Sequence, residues 1–178
     1  HSLALTAVGA VWSWGYGAGG RLGHGDGQGQ LLPKKVEAFA GLRIVAVSAA
    51  AGYSLAITAD GALWSWGDGR LGKLGHGDEQ NQLLPKKVEA FAGQRVVAVS
   101  AGAYHSLALT ADGAVWSWGR GHAGVLGHGD EQQQWQPKKV EAFAGQRVVA
   151  VSAGDNQSLA ITTDGAAWSW GMGLSSQL

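Results

Sequence analysis

The tetrapeptide Trp-Ser-Trp-Gly at residues 12–15 returns at 64–67, 116–119 and 168–171, each copy 52 residues after the last. Self-similarity at a fixed period of this length means that one supersecondary unit is built repeatedly, and it constrains the fold more than any other feature. The tryptophans of each copy lie two residues apart. On a β-strand both indoles therefore point to one face and the serine to the other. One small sheet cannot bury two indoles, whereas a neighbouring copy of the same sheet can. The pattern thus calls for small sheets packed on one another in series. Trp12, Trp14, Trp64, Trp66, Trp116, Trp118, Trp168 and Trp170 are assigned a structural role at those contacts.

Each period reads as four strands, A to D. In the third, Val148-Val149-Ala150-Val151 (Val96 to Val99 one period earlier) is a short β-branched run, the signature of a buried strand A. Ser106 to Thr110 reads as strand B and Val115 to Trp118 as strand C. Between B and C, Ala111-Asp112-Gly113 makes a tight turn, because Asp-Gly supplies the positive φ that a short hairpin needs. A loop from Gly119 to Gln136 follows, and Pro137 to Phe143 reads as strand D. Proline at the start of an outer strand removes no ladder donor.

Four antiparallel strands repeated in tandem describe an all-β fold, a β-propeller, here an arc of about 3.5 blades. The repeats fall at about 1–53, 54–105 and 106–157, with a partial unit at 158–178. The phase of the ends predicts the strand count. The chain opens in strand B (Leu3 to Thr6) and its last strand C ends at Gly171, so the blades should hold three, four, four and three strands. It begins at His1, without Met and inside a repeat, and is expected to be a fragment of a longer propeller. An open arc exposes sheet faces at both ends, which invites self-association.

Composition narrows the function classes. The 30 glycines fall at fixed phases, marking turns rather than disorder. Thirteen basic residues balance thirteen acidic ones, which argues against a nucleic-acid module held by bulk charge. The absence of cysteine excludes disulfides and thiolate metal sites. No apolar run approaches the roughly 18 residues that span a bilayer. No serine sits in a nucleophile elbow, and no Gly-rich segment opens a helix to cradle phosphate. No catalytic, cofactor-binding or metal-binding residue is therefore assigned, and the chain reads as a non-enzyme.

Two recurring sets have a simple loop or edge chemistry. His24-Gly25-Asp26, His76-Gly77-Asp78 and His128-Gly129-Asp130 offer two metal ligands each but recur around a ring, and glycine on both sides of the histidine predicts tight loops closed by Asx-turns. Lys34-Lys35, Lys86-Lys87 and Lys138-Lys139 read as solvated protection of an outer strand, with Glu37, Glu89 and Glu141 two residues on.

The string Ser-Leu-Ala-Leu-Thr-x-Asp-Gly-x-Val-Trp-Ser-Trp-Gly, followed by Leu-Gly-His-Gly-Asp and Pro-x-x-Val, resembles the RCC1 (regulator of chromosome condensation) repeat over essentially the whole chain. The resemblance implies a seven-bladed propeller as the complete fold and a cytoplasmic or nuclear setting. Function on a rigid scaffold sits in its loops, and the A–B loop is the least uniform part of the repeat. In relatives that act as exchange factors for a Ran GTPase, the resemblance implies that loops on this face form the contact surface. Tyr53, Tyr104, His105, Asp155 and Asn156 are the partner-contact candidates there. Trp135, which replaces a leucine of the earlier repeats in the loop before strand D, is a sixth. A plant ultraviolet photoreceptor resembles this repeat but carries Gly-Trp-Arg-His-Thr in the same loop. Its tryptophan positions correspond to Ala51, Ala103 and Asp155, so the Trp–Arg cluster is missing.

The reading is a non-enzymatic scaffold for protein–protein interaction, without cofactor, membrane or nucleic-acid partner. The alternatives are a guanine-nucleotide exchange factor for a Ran-like small GTPase and a purely structural or engineered array.

Overall fold

A computed structural model of the chain describes residues 1–173. Its strands form four separate antiparallel sheets. The first holds β1 (Ser2–Leu5), β2 (Val11–Gly15) and β3 (Gln30–Lys35). The second holds β4 (Ile44–Ala49), β5 (Tyr53–Thr58), β6 (Leu63–Gly67) and β7 (Gln82–Lys87). The third holds β8 (Val96–Ala101), β9 (His105–Thr110), β10 (Val115–Gly119) and β11 (Gln134–Lys139), and the fourth β12 (Val148–Ala153), β13 (Gln157–Thr162) and β14 (Ala167–Gly171). The count is three, four, four, three, as the phase of the repeat requires. The end of the broken fourth repeat, 174–178, lies outside the described residues. Among the described residues no helix is long and apolar enough to cross a membrane.

The B–C turn forms as its Asp-Gly pair demands. Gly113 sits at φ +88°, its N–H donates to the Thr110 carbonyl, and the Thr110 hydroxyl donates to the Asp112 carboxylate at 2.6 Å.

Strand D departs from the sequence expectation. It begins at Gln134 and ends at Lys139, so it lies three to four residues earlier than Pro137 to Phe143. The reason is the proline. Ser117 pairs with Lys138 but Gly119 pairs with Gln134, and this irregularity places Pro137 where the ladder needs no donor. Glu141–Phe143 then turns as a short 3-10 helix that frees Phe143 from the sheet.

That turn builds the contact between blades. Phe39 meets Trp64 and Trp66 of the next blade edge-on at 5.8 and 5.5 Å, Phe91 meets Trp116 and Trp118, and Phe143 meets Trp168 and Trp170. Edge-on aromatic pairs add about 0.5–1.5 kcal/mol to the burial itself. At each seam one backbone carbonyl serves two donors from the next blade. The Arg21 carbonyl accepts from Trp66 Nε1 (2.9 Å) and Ser54 Oγ (3.0 Å), the Lys73 carbonyl from Trp118 (2.8 Å) and Ser106 (2.9 Å), and the Val125 carbonyl from Trp170 and Ser158 (both 2.8 Å). A buried carbonyl left alone would carry its full desolvation penalty, so these bonds specify the seam as well as holding it.

On the other side of each strand C the serine does a different job. Ser13, Ser65 and Ser117 are fully buried and donate to the carbonyls of Leu22, Leu74 and Leu126, fastening the C–D loop to its own blade. Glycines in that loop serve space as well as turning. Gly69 has an ordinary φ of −89°, but a Cβ there would sit 2.0 Å from the Gln80 carbonyl oxygen. Gly69→Ala should therefore cost about 2 kcal/mol or more, within the range for overpacking. Gly93, at φ +81° with open space around it, should lose only about 1 kcal/mol as alanine. Urea melts of the two variants check the contrast.

Candidate functional site

The ends of the sheets form two loop faces. On one, the A–B loop of each blade meets the start of its C–D loop: Asp68 N–H donates to the Gly52 carbonyl, Arg120 N–H to Tyr104, and Met172 N–H to Asn156. On the opposite face the B–C turns meet the D–A connections, as in Ala59 N–H to Arg43 and Ala111 N–H to Arg95. The repeats are near-copies at the seams. Their chemistry changes chiefly on the first face, where Tyr16 becomes Asp68 and then Arg120, Ala18 becomes Arg70 and His122, Arg21 becomes Lys73 and Val125, and Gly52 becomes Tyr104 and Asn156. The same face holds Leu71 (φ 65°) and Ala123 (φ 55°), the only non-glycine residues among those described with positive φ. Such conformations cost of order 1 kcal/mol or more for residues with a Cβ, and cluster where a surface is shaped for use.

Two expected contact residues are not on the accessible surface. Tyr53 and His105 occupy equivalent places one period apart, and both are 0% exposed. The Tyr53 hydroxyl donates to the His105 carbonyl at 2.6 Å and lies 2.8 Å from Ser106 Oγ. Since Ser158 donates its hydroxyl proton to the Val125 carbonyl, His105 Nε2–H must donate to Ser158 Oγ, 2.9 Å away. His1 reaches Ser54 in the same way at 2.8 Å. These side chains tether each blade to the next. They sit at the loop's end, where the first residue of strand B already points into the seam.

The His105 tether makes the seam sensitive to acid. Burial lowers its pKa from the ordinary 6.5 to about 4, and protonation would place an N–H at Nδ1, which is buried without an acceptor. The unfolded chain thus binds more protons between those two values, and stability falls as pH drops through that window. The loss attributable to His105 is about 3 kcal/mol, complete below pH ~4. His105→Gln, which copies Gln157, should remove this share of the slope while melts at pH 7 change little. His24, His76 and His128, also lowered by burial first and then by neighbouring lysines, supply the background common to both proteins.

The other candidates are accessible. Tyr104 is 42% exposed, Asp155 is exposed at the tip of the fourth A–B loop, and Asn156 beside it is half-buried. Trp135 lies on strand β11 rather than in a loop. It is 52% exposed, covers Gly72 of the preceding blade, and donates Nε1–H to Glu79 at 3.2 Å. Leu83, one period earlier, covers Gly20 in the same manner.

Sequence reasoning missed the start of the C–D loop, which carries a buried ion pair. Lys73 is only 4% exposed and donates to Asp68 Oδ2 at 2.8 Å. Arg70 grips the same carboxylate with Nε and Nη2. Burial alone would raise the Asp68 carboxyl, but the bonds from Arg70 and Lys73 outweigh it and hold it well below the usual carboxylate range. Burial lowers the Lys73 ammonium, and Asp68 opposes that shift. Flanking this cluster, Arg21 lies 4.9 Å above the Tyr16 ring and Arg120 lies 5.4 Å above Tyr104. The only signal in the sequence was that residues 16, 18 and 21 change character in every repeat.

The His-Gly-Asp loops are closed by their own chemistry. Asp26, Asp78 and Asp130 each accept the N–H two residues on at 2.9 Å, the expected Asx-turn. Ser13, Ser65 and Ser117 spend their protons on carbonyls, so the Nε2–H of His24, His76 and His128 donates to each serine at 2.9–3.0 Å. That nitrogen has no free lone pair for a metal. Among the described residues no group of three or more His, Cys, Asp or Glu side chains is placed to hold a metal ion. The paired lysines line the outer strands, with Lys35 3.4 Å from Glu37.

Comparison with known proteins agrees with this architecture. The profile of the RCC1-like domain matches residues 1–178. The chain is 41% identical over 173 residues to the human E3 ubiquitin-protein ligase HERC2, covering 96% of this chain and 4% of HERC2. It is 39% identical over 171 residues to the ultraviolet-B receptor UVR8 of Arabidopsis thaliana, covering 96% of this chain and 39% of UVR8. The crystal structure of Prp20p from Saccharomyces cerevisiae, a protein characterised for its binding to Gsp1p and histones, superposes with a TM-score of 0.84 at 26% identity, over 99% of this chain and 44% of that one. The chain therefore spans less than half the length of each.

Proposed function

Because the chain belongs to the RCC1-like domain family, we propose that it is a non-catalytic propeller segment that holds a protein partner on its A–B and C–D loop face. One observation carries this reading: the seams repeat almost unchanged, while the chemistry of the loops on this one face changes from blade to blade. A rigid scaffold with variable loops is the arrangement that recognition uses. Ligase activity belongs to HERC2 as a whole protein, of which this chain matches a small part. Site-specific photocrosslinking in cells tests the reading. A crosslinking residue at Tyr104 or Tyr16 should capture protein, and one at Lys138 on the outer strand should not. Equal capture from all three positions would overturn it.

A second reading is favoured by the likeness to Prp20p, which binds Gsp1p. Here the same face would engage a Ran-like GTPase and speed nucleotide release by deforming the nucleotide site, with no covalent step. Release of a labelled nucleotide from such a GTPase, unaccelerated at micromolar concentrations of this protein, would remove that reading.

A further inference from the structure

Resting on the loop-face reading, we propose that the strip formed by Tyr16, Arg21, Arg70, Tyr104 and Arg120 docks an acidic protein segment, an extended stretch rich in Asp and Glu. The strip consists of two neighbouring groups, one around Asp68 and one at Tyr104, whose phenol acts electrostatically on Arg70. Arg21 stacks on Tyr16, and its Nη2 and the Asp68 carboxylate both lie over Gly52, 3.7 and 3.3 Å from where a Cβ would stand. Asp68 is bound by Arg70, and Arg120 stacks on Tyr104. Within it four cations, Arg21, Arg70, Lys73 and Arg120, face one carboxylate, Asp68, which Arg70 and Lys73 already share. The other acids of this face are placed differently. Asp155 stands at the A–B loop of the fourth blade, Glu79 accepts from Gln133 and Trp135, Glu131 lies 3.8 Å from His122, and Asp26, Asp78 and Asp130 accept N–H groups of their own C–D loops.

The arginines also keep donors to spare. Among the described residues, Arg21 Nη2, Arg70 Nη1 and the whole Arg120 guanidinium make no hydrogen bond. A guanidinium fork matches a carboxylate in planar, bidentate geometry. Stacking on tyrosine holds Arg21 and Arg120 in place in advance, which lowers the ordering cost of binding. Tyr16 at 67% exposure and Tyr104 offer apolar rings between the charges. A nucleic acid would present anions too, but the chain as a whole carries no net charge to gather a phosphate backbone.

The test uses the 178-residue chain and fluorescence anisotropy with three labelled probes: a Glu/Asp-rich peptide, a Lys-rich peptide of equal length, and an oligouridine. The acidic peptide should bind about tenfold or more tightly than either of the others, and added salt should weaken it. Arg120→Glu and Arg21→Glu should each weaken it about fivefold or more, while Lys138→Glu on the outer strand leaves it unchanged. The Arg120 guanidinium makes no hydrogen bond among the described residues, so its variant remains decisive if Arg21→Glu proves unstable in a thermal melt. Equal binding of the two peptides, preference for oligouridine, or an equal loss from Lys138→Glu would overturn the proposal. If Tyr104 still crosslinks to protein while the peptides are not distinguished, the acidic preference falls and the loop-face reading stands. If neither Tyr104 nor Tyr16 crosslinks, both fall.

Discussion

Trp118→Ala is expected to destabilise the protein by about 3–5 kcal/mol, the range for deleting a fully buried large aromatic. Trp118 is 0% exposed, meets Phe91 at 6.0 Å and donates to the Lys73 carbonyl, so its loss opens a cavity and also removes one of that carbonyl's two donors. The matching change at Trp14 should cost far less. Trp14 is partly exposed, and no sheet among the described residues packs against its face. Urea melts of Trp14→Ala, Trp66→Ala and Trp118→Ala measure this. Large losses at 66 and 118 with a small one at 14 place the indoles at the seams between blades. Equal losses at all three would mean that each tryptophan stabilises only its own sheet.

Asp68→Asn should be comparably severe, about 3–5 kcal/mol, because it strands the Lys73 ammonium in a buried site without its counter-charge. The third repeat carries Val125 at the position of Lys73 and needs no acid there. The double variant Asp68→Asn/Lys73→Val should therefore recover most of the loss, since removing both partners of a buried pair is often close to neutral. The Lys73 carbonyl, which accepts from Trp118 and Ser106, survives the substitution because it belongs to the backbone. Denaturant midpoints of both single variants and the double variant form a cycle. A double variant as unstable as Asp68→Asn would show that the carboxylate is needed for something other than neutralising Lys73.

How much of this was legible beforehand follows from what each residue answers to. The period, the strand count and the Asp-Gly turn at 112–113 are written in local pattern, and the His-Gly-Asp loops close on themselves within a few residues. Glu141-Ala142-Phe143 reads as strand D in the sequence because the partners of its turn, Trp168 and Trp170, lie about 25 residues further on. Tyr53 and His105 resembled exposed loop residues because their partners, Ser106 and Ser158, lie a full period away on another sheet. The Asp68–Arg70–Lys73 cluster was hidden for the same kind of reason. Nothing about Lys73 in the chain says that its ammonium is buried, and only the closing of the C–D loop over Gly52 makes it so.

The central claim is a division of labour: seams that hold the arc together, and one loop face left free to recognise a partner. A library of single substitutions, sorted once for resistance to protease and once for capture of crosslinked protein through residue 104, tests both halves in the same molecules. The account predicts folding losses that recur every 52 residues at the Trp, Phe and Ser seam positions, with stable folding but lost capture on substitution of Tyr16, Arg21 or Arg120. Capture that survives every change on that face, or folding losses without the period, would contradict it.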